Sequence, residues 1–243
     1  MTAEKYVQSD DVKLWTTSDG NGLPLLLCNG GPGLCDYLGD VAAMVSDITQ
    51  VIRWEQRGCG RSESSQTYSI EQTLDDMEAI RKAYGFEKWF VGGHSWGADL
   101  ALMYALEYPE RVIGGICIAG GRMNNDREWH NAYKKGKEKG ELQPKYAYPP
   151  NDEVNKQLNA DRKRYIQEPF LLQDVSNLDV PVVFIYGDED IRPAWAVEQI
   201  AYLLPKGDYR EIGGAQHAIW MTHHFALRAA MRKFIKQFTA ATV

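Results

Sequence analysis

The chain has 243 residues and a formal net charge of −6, with 44% hydrophobic and 25% charged residues. This length suits one large domain burying roughly 70–75% of its unfolded surface without staples. The acidic balance, with no long basic run, excludes nucleic acid as the default partner, and no apolar run reaches the length of a membrane span.

The four cysteines, Cys28, Cys35, Cys59 and Cys117, show no metal-type pairing and follow no signal-like stretch, so free thiols in a reducing cytoplasm are expected. Residues Lys5 to Ser9 and Val12 to Thr17 alternate apolar and polar, the pattern of an antiparallel hairpin at a sheet edge. Leu23 to Cys28 reads as a buried strand running into Asn29-Gly30-Gly31-Pro32-Gly33. A glycine-rich loop at the end of a strand exposes backbone N–H groups that can hold a phosphate or the oxyanion of an acyl-transfer intermediate. The Lys and Ser/Thr that a phosphate loop requires do not follow, which favours the oxyanion.

Ile48 to Trp54 is the next strand, and the loop after it carries Arg57 and Arg61, either of which is placed to pin neighbouring loops. Ile70, Leu74, Met77, Ile80 and Tyr84 recur at helical spacing, with Gly85 as C-cap. Val91 to Ala105 then reads as a buried strand, a tight turn at Ser95 and an apolar helix. Within it, Gly93-His94-Ser95-Trp96-Gly97 fits GxSxG, a pattern whose glycines let strand and helix approach closely while the strained turn presents the serine hydroxyl. Val112 to Ala119 is another continuous apolar strand. Fully apolar strands alternating with helices predict an α/β fold whose mostly parallel central sheet is covered by helices on both faces.

From residue 121 to 178 the texture turns polar and lysine-rich, with helical stretches near Asp126 to Lys139 and Asp152 to Gln167. This stretch is expected to be a small helical lid inserted after the sixth strand, dividing a core of 1–120 and 179–243. Val180 to Gly187 restores the sheet and leads into Asp188-Glu189-Asp190. Pro193 opens a helix to Leu204, Tyr209 to Ile212 makes a short strand, and His223 to Phe238 closes the chain as an amphipathic helix.

A serine hydroxyl needs a base, and the base needs an orienting carboxylate. Of the five histidines, His94 sits inside the motif facing away from the substrate side, His130 lies in the lid, and His223 and His224 open the last helix. Only His217 follows the final strand in a glycine loop. For the acid, Asp190 fits a GxxD arrangement from Gly187, with Asp188 as the alternative. Trp96, Trp129, Trp195 and Trp220 fall near these positions, so Trp129, Trp195 and Trp220 are candidates to wall an apolar, ring-sized substrate pocket, against plain core packing.

The runs NGGPG, EQRGCGRS, DMEAIR and GGHSWG with LALMYALEYPERV resemble the proline iminopeptidases of the α/β-hydrolase superfamily, well over about residues 25–120 and at superfamily level around Asp190 and His217. The chain order Ser, Asp, His is also that of the superfamily. The resemblance implies an α/β-hydrolase fold and makes Ser95 the nucleophile, Asp190 the orienting acid and His217 the base, with the backbone N–H groups of Gly31 and Trp96 as oxyanion hole. It implies release of N-terminal proline or a small apolar residue from short peptides, through an acyl-enzyme, with neither cofactor nor metal. Alternatives are a carboxylesterase for small apolar esters and a non-hydrolytic ligand-binding member of the fold. Small molecules or short peptides are the expected partners, not nucleic acid or membrane.

The chain departs from the family pattern at Asn29, where His is usual, Glu55 for Asp, His94 for Gly and Asp99 for a small or hydroxyl residue. The insertion is shorter than the usual cap, whose carboxylates bind the substrate's amine. Glu128, Glu138, Glu141, Glu153 and Glu168 are available, but none matches a family position.

Overall fold

The structure, a computed structural model, describes residues 3–239, so the outermost residues of the expected core, 1, 2 and 240–243, lie outside the described residues. Strands β1 (Ala3–Ser9) and β2 (Val12–Asp19) form the expected hairpin. The remaining strands are β3 (Leu23–Cys28), β4 (Thr49–Trp54), β5 (Trp89–His94), β6 (Val112–Ile118), β7 (Val182–Gly187) and β8 (Gly207–Ile212). They make one sheet in the order β1-β2-β4-β3-β5-β6-β7-β8, antiparallel where β1 meets β2 and β2 meets β4, and parallel from there on.

The continuous apolar strands are explained by burial on both sides. Alternate residues of β3 and β7 join different cores: Leu26, Val182 and Phe184 pack to one side with helices α2 (Ile70–Ala83), α3 (Trp96–Glu107) and α7 (Trp195–Leu203). Leu25, Leu27, Val183 and Ile185 pack to the other with α1 (Gly39–Ala43) and α8 (His224–Thr239). Each fully buried Leu, Val or Phe contributes about 1.5–3 kcal/mol, so neither face of these strands tolerates a polar residue.

The local signals in α2 are satisfied as its sequence implies. The Gln72 N–H donates to the Ser69 hydroxyl at the N-cap, and Gly85 takes φ +75° past the last turn. Both loop arginines act as pins: Arg57 forks onto Asp76 of α2 at 2.8 and 2.5 Å, and Arg61 holds Glu55.

Between β6 and β7 lie α4 (Arg127–Gly136), α5 (Asp152–Tyr165) and α6 (Leu171–Asn177). The segment is stitched to the core. Asn155 donates to the Pro32 carbonyl at 2.7 Å, Asn151 to that of Gly58 at 2.8 Å, and Arg162 of α5 to Asp99 of α3 at 2.8 Å. The first turn of α5 therefore rests on the loop that follows β3. Among the described residues no helix is long and apolar enough to cross a membrane.

Candidate active site

Ser95 stands at the joint between β5 and α3 with φ 56° and ψ −119°, a conformation that costs an L-residue energy and persists only where its surroundings enforce it. Close packing enforces it here. A Cβ added at Gly97 would lie 2.0 Å from the Cys28 carbonyl oxygen, and one at Gly93 would lie 2.4 Å from the Gly97 backbone. The spacing of the two glycines is thus the condition for α3 to start directly over β3 and β5. The Ser95 N–H is fixed by the Ile118 carbonyl at 2.8 Å.

Asp190 follows β7 and its side chain is fully buried. Its Oδ2 lies 2.5 Å from Nδ1 of His217, and its Oδ1 accepts from the Arg192 N–H at 2.9 Å and from Nη1 of Arg192 at 3.1 Å. Burial acts to raise its pKa, but the His217 hydrogen bond, with the charges of His217 and Arg192, outweighs it and holds the carboxyl below its usual value. Asp188, the alternative, instead accepts the Gly214 N–H at 2.6 Å and caps the histidine loop.

His217 is buried, and Ser95 and His217 line one small cavity of about 130 Å³ together with Gly31, Tyr37, His94 and Arg192. Trp96 is the first residue of α3, so its N–H is one of the helix donors without an intrahelical acceptor, and Gly31 reaches the same cavity from the loop after β3. Sequence positions 31, 95, 190 and 217 thus converge at one end of the sheet.

His94, expected to face away from the substrate side, lines this cavity instead, with its ring 4.5 Å from that of His217. The Gly30 N–H donates to the Tyr37 hydroxyl at 2.8 Å, leaving the hydroxyl proton for Nδ1 of His94 at 2.7 Å. Nε2 of His94, 3.0 Å from the His217 carbonyl, then carries the remaining hydrogen. One neutral imidazole therefore ties the glycine loop to the base's backbone.

Burial, reinforced by the nearby His217 and Arg192, holds the pKa of His94 well below 6.5. Since the unfolded chain takes up a proton near pH 6.5 that folded His94 refuses, stability should fall as pH drops below that value, by at most about 1.4 kcal/mol per pH unit for this group. Denaturant midpoints measured down from neutral pH should show a shallower decline in His94→Gln than in the parent. His130, also lowered chiefly by burial, is common to both proteins. An unchanged slope would show that His94 titrates normally.

Ser95 also lines a larger cavity of about 410 Å³, together with Gly31 and Trp96. Trp129 contributes to its wall, with its indole N–H donating to the Pro193 carbonyl at 2.9 Å. The other two tryptophans do not wall it. Trp195 is 37% exposed and donates to Asp126, and Trp220 is packed edge-on beneath His94 at 4.7 Å. The wall keeps an apolar part in Trp96, Trp129, Tyr186, Ile166 and Val197, but four cationic residues interrupt it, Arg122, Arg162, Lys163 and Arg192. These residues escaped the sequence reading because no motif or period marks them; only the fold gathers them. Of the unassigned glutamates, Glu141 is placed by Arg192, which forks onto it at 2.6 and 2.9 Å. Among the described residues no group of three or more His, Cys, Asp or Glu is placed to hold a metal ion.

Residues 24–139 match the family described as alpha/beta hydrolase fold. The chain superposes on a proline iminopeptidase from Mycobacterium smegmatis with a TM-score of 0.78 at 19% identity, covering 99% of this chain and 100% of that one. The chain has the α/β-hydrolase fold. A carboxylesterase from Bacillus subtilis superposes on this chain with a TM-score of 0.74 at 16% identity, over 97% and 92% of the two chains.

In sequence, the chain is similar over about half of its length to proteins named proline iminopeptidase. It is 31% identical to a putative proline iminopeptidase of Mycoplasma genitalium over 121 residues, 49% of this chain and 39% of that protein. It is 35% identical to the proline iminopeptidase of Neisseria gonorrhoeae over 115 residues, 45% and 37% of the two chains. The matched stretch spans about two fifths of the length of these curated relatives.

Proposed function

We propose that this chain is a serine hydrolase in which His217, oriented by Asp190, takes the proton of Ser95 as the hydroxyl attacks a carbonyl carbon. The oxyanion is received by the N–H groups of Gly31 and Trp96, where each donor is worth about 3 kcal/mol in the transition state. The tetrahedral intermediate collapses as His217 gives its proton to the leaving group, and water repeats the relay to release the acid and regenerate Ser95. One observation carries this reading: the 2.5 Å contact of Asp190 with His217, whose ring opens onto the same cavity as Ser95. The segment 121–178 serves as the lid, a role supported by the α5 contacts with the glycine loop and by its residues in the larger cavity. A fluorophosphonate should label Ser95 in the native protein and nothing in Ser95→Ala. Absence of an adduct on the native protein would leave a binding protein on a hydrolase scaffold.

Within that chemistry, an aminopeptidase of proline iminopeptidase type is supported by the names of the relatives that match about half of its length. Cleavage of small esters is supported by the cavity itself, whose one lining carboxylate, Asp99, is already held by Arg162 and two backbone N–H groups. Prolyl and alanyl arylamides compared with short aryl esters decide between them. Turnover confined to esters would remove the peptidase reading.

A further inference from the structure

The larger cavity contains a charge that the fold does not neutralise. Arg122 is 7% exposed and lines the cavity shared with Ser95, yet no carboxylate lies within 4.0 Å of it among the described residues. Its Nη1 donates to the Asn124 carbonyl at 2.5 Å, and its guanidinium lies 4.0 Å from the centre of the Trp129 ring. Its backbone already does the structural work, since the Arg122 carbonyl accepts from Arg162 at 2.6 Å and its N–H donates to Asp99. That work needs no guanidinium. Burial, then the Arg162 charge, lower the Arg122 pKa to about 10 against the opposing pull of Asp99, Tyr186 and Asp126.

The neighbouring cations differ. Arg162 is paired with Asp99, and Arg192 with Glu141 and Asp190. A buried cation without a partner is costly, and a planar guanidinium is matched by a carboxylate that accepts two parallel hydrogen bonds. Lys163 adds a second unneutralised charge at the exposed side of the cavity, while Asn125 and Asn159 add amide groups. An ammonium group placed here would face Arg122 and Lys163, and the lining carboxylate, Asp99, is already held by Arg162 and two backbone N–H groups.

The geometry points to an anion subsite beside Ser95, in which Arg122 holds a carboxylate at the end of the substrate remote from the scissile bond. The substrate class is therefore a small ester or amide bearing a free carboxylate. The cavity of about 410 Å³ has the size of a small-molecule site. This assignment rests on the hydrolase reading for the position of the scissile carbonyl, but the charge preference is measurable without turnover.

Titration calorimetry on Ser95→Ala with monomethyl adipate and dimethyl adipate compares ligands that differ in one carboxylate. The monoester should bind about tenfold tighter or better, the scale of a charge-assisted hydrogen bond, and the preference should shrink as salt is raised. It should collapse in Ser95→Ala/Arg122→Gln and be partly retained in Ser95→Ala/Arg122→Lys, which keeps the charge but not the fork. Equal binding of the two esters, a preference that survives Arg122→Gln, or tighter binding of prolinamide than of the monoester would overturn the subsite. The first and third comparisons need no change at Arg122, so they stand even where Arg122→Gln fails to fold. Because Ser95→Ala cannot turn over, the subsite stands or falls here, whereas the hydrolase reading stands or falls on fluorophosphonate labelling of the parent.

Discussion

Asp190→Asn should lower turnover of an activated ester by about 10³- to 10⁴-fold, the loss seen when a serine triad keeps its shape but loses its carboxylate. The reason is local. Nδ1 of His217 lies 2.5 Å from Oδ2 of Asp190, so a carboxylate there holds the hydrogen on Nδ1 and leaves Nε2 free to accept a proton. An amide NH₂ turned toward the ring would stabilise the opposite tautomer, with Nε2 already protonated and useless as a base. The alternative flip would place the amide nitrogen against the Arg192 N–H and guanidinium, which now donate to Oδ1. Neither orientation satisfies both neighbours. Asp188→Asn is the control: Asp188 accepts only the loop N–H of Gly214, so its loss should be within about tenfold. A drop of less than tenfold in Asp190→Asn, or a larger one in Asp188→Asn, would reassign the acid.

Asp99→Ala should destabilise the fold by about 3–5 kcal/mol, read as a fall in the urea midpoint. Asp99 is buried on α3, where Oδ1 accepts the N–H groups of Gly121 and Arg122 at 2.7 and 3.1 Å and Oδ2 accepts Nε of Arg162 at 2.8 Å. Its removal orphans two buried N–H groups and leaves Arg162 beside Arg122 with no anion between them. Against a total stability of about 5–15 kcal/mol for a typical domain, that loss is large. The pair itself need not be worth as much. Asp99→Ala/Arg162→Met, which removes both charges and keeps bulk on α5, should recover part of the loss. A single variant within about 1 kcal/mol of the parent would show that water reaches Arg162 and that the charge is not sealed in.

The strands that build the site were legible because burial on both faces leaves no choice of residue type. Leu23 to Cys28, Val112 to Ala119 and Val180 to Gly187 read as continuous apolar runs, and strands occupy Leu23–Cys28, Val112–Ile118 and Val182–Gly187. The helix before the nucleophile strand was legible through its apolar spacing from Ile70 to Tyr84 and through Gly85 at its C-terminal end, while its N-cap Ser69 was not singled out. Weaker local signals went astray. The short helices α1 and α6 lack a side-chain N-cap and were missed, and α7 starts at Trp195, two residues after the Pro193 taken as its opening. At the site, spacing and chain order were enough to nominate Ser95, Asp190 and His217. The aromatic walls were not, because nearness in sequence says nothing of which side of a loop an indole takes. Trp195 turns outward to Asp126, and Trp220 turns inward under His94.

The sequence alone determined what depends on neighbours along the chain. It set the alternation that makes strands two-sided, the glycines at 93 and 97 without which α3 cannot start over Cys28, and the loop chemistry at 29–33. Only the tertiary structure decided which charges share a cavity with Ser95. Arg122 follows β6, Arg162 lies on α5 and Arg192 follows β7, and electrostatic character belongs to an enclosed volume whose walls come from distant segments. No window of sequence contains that volume.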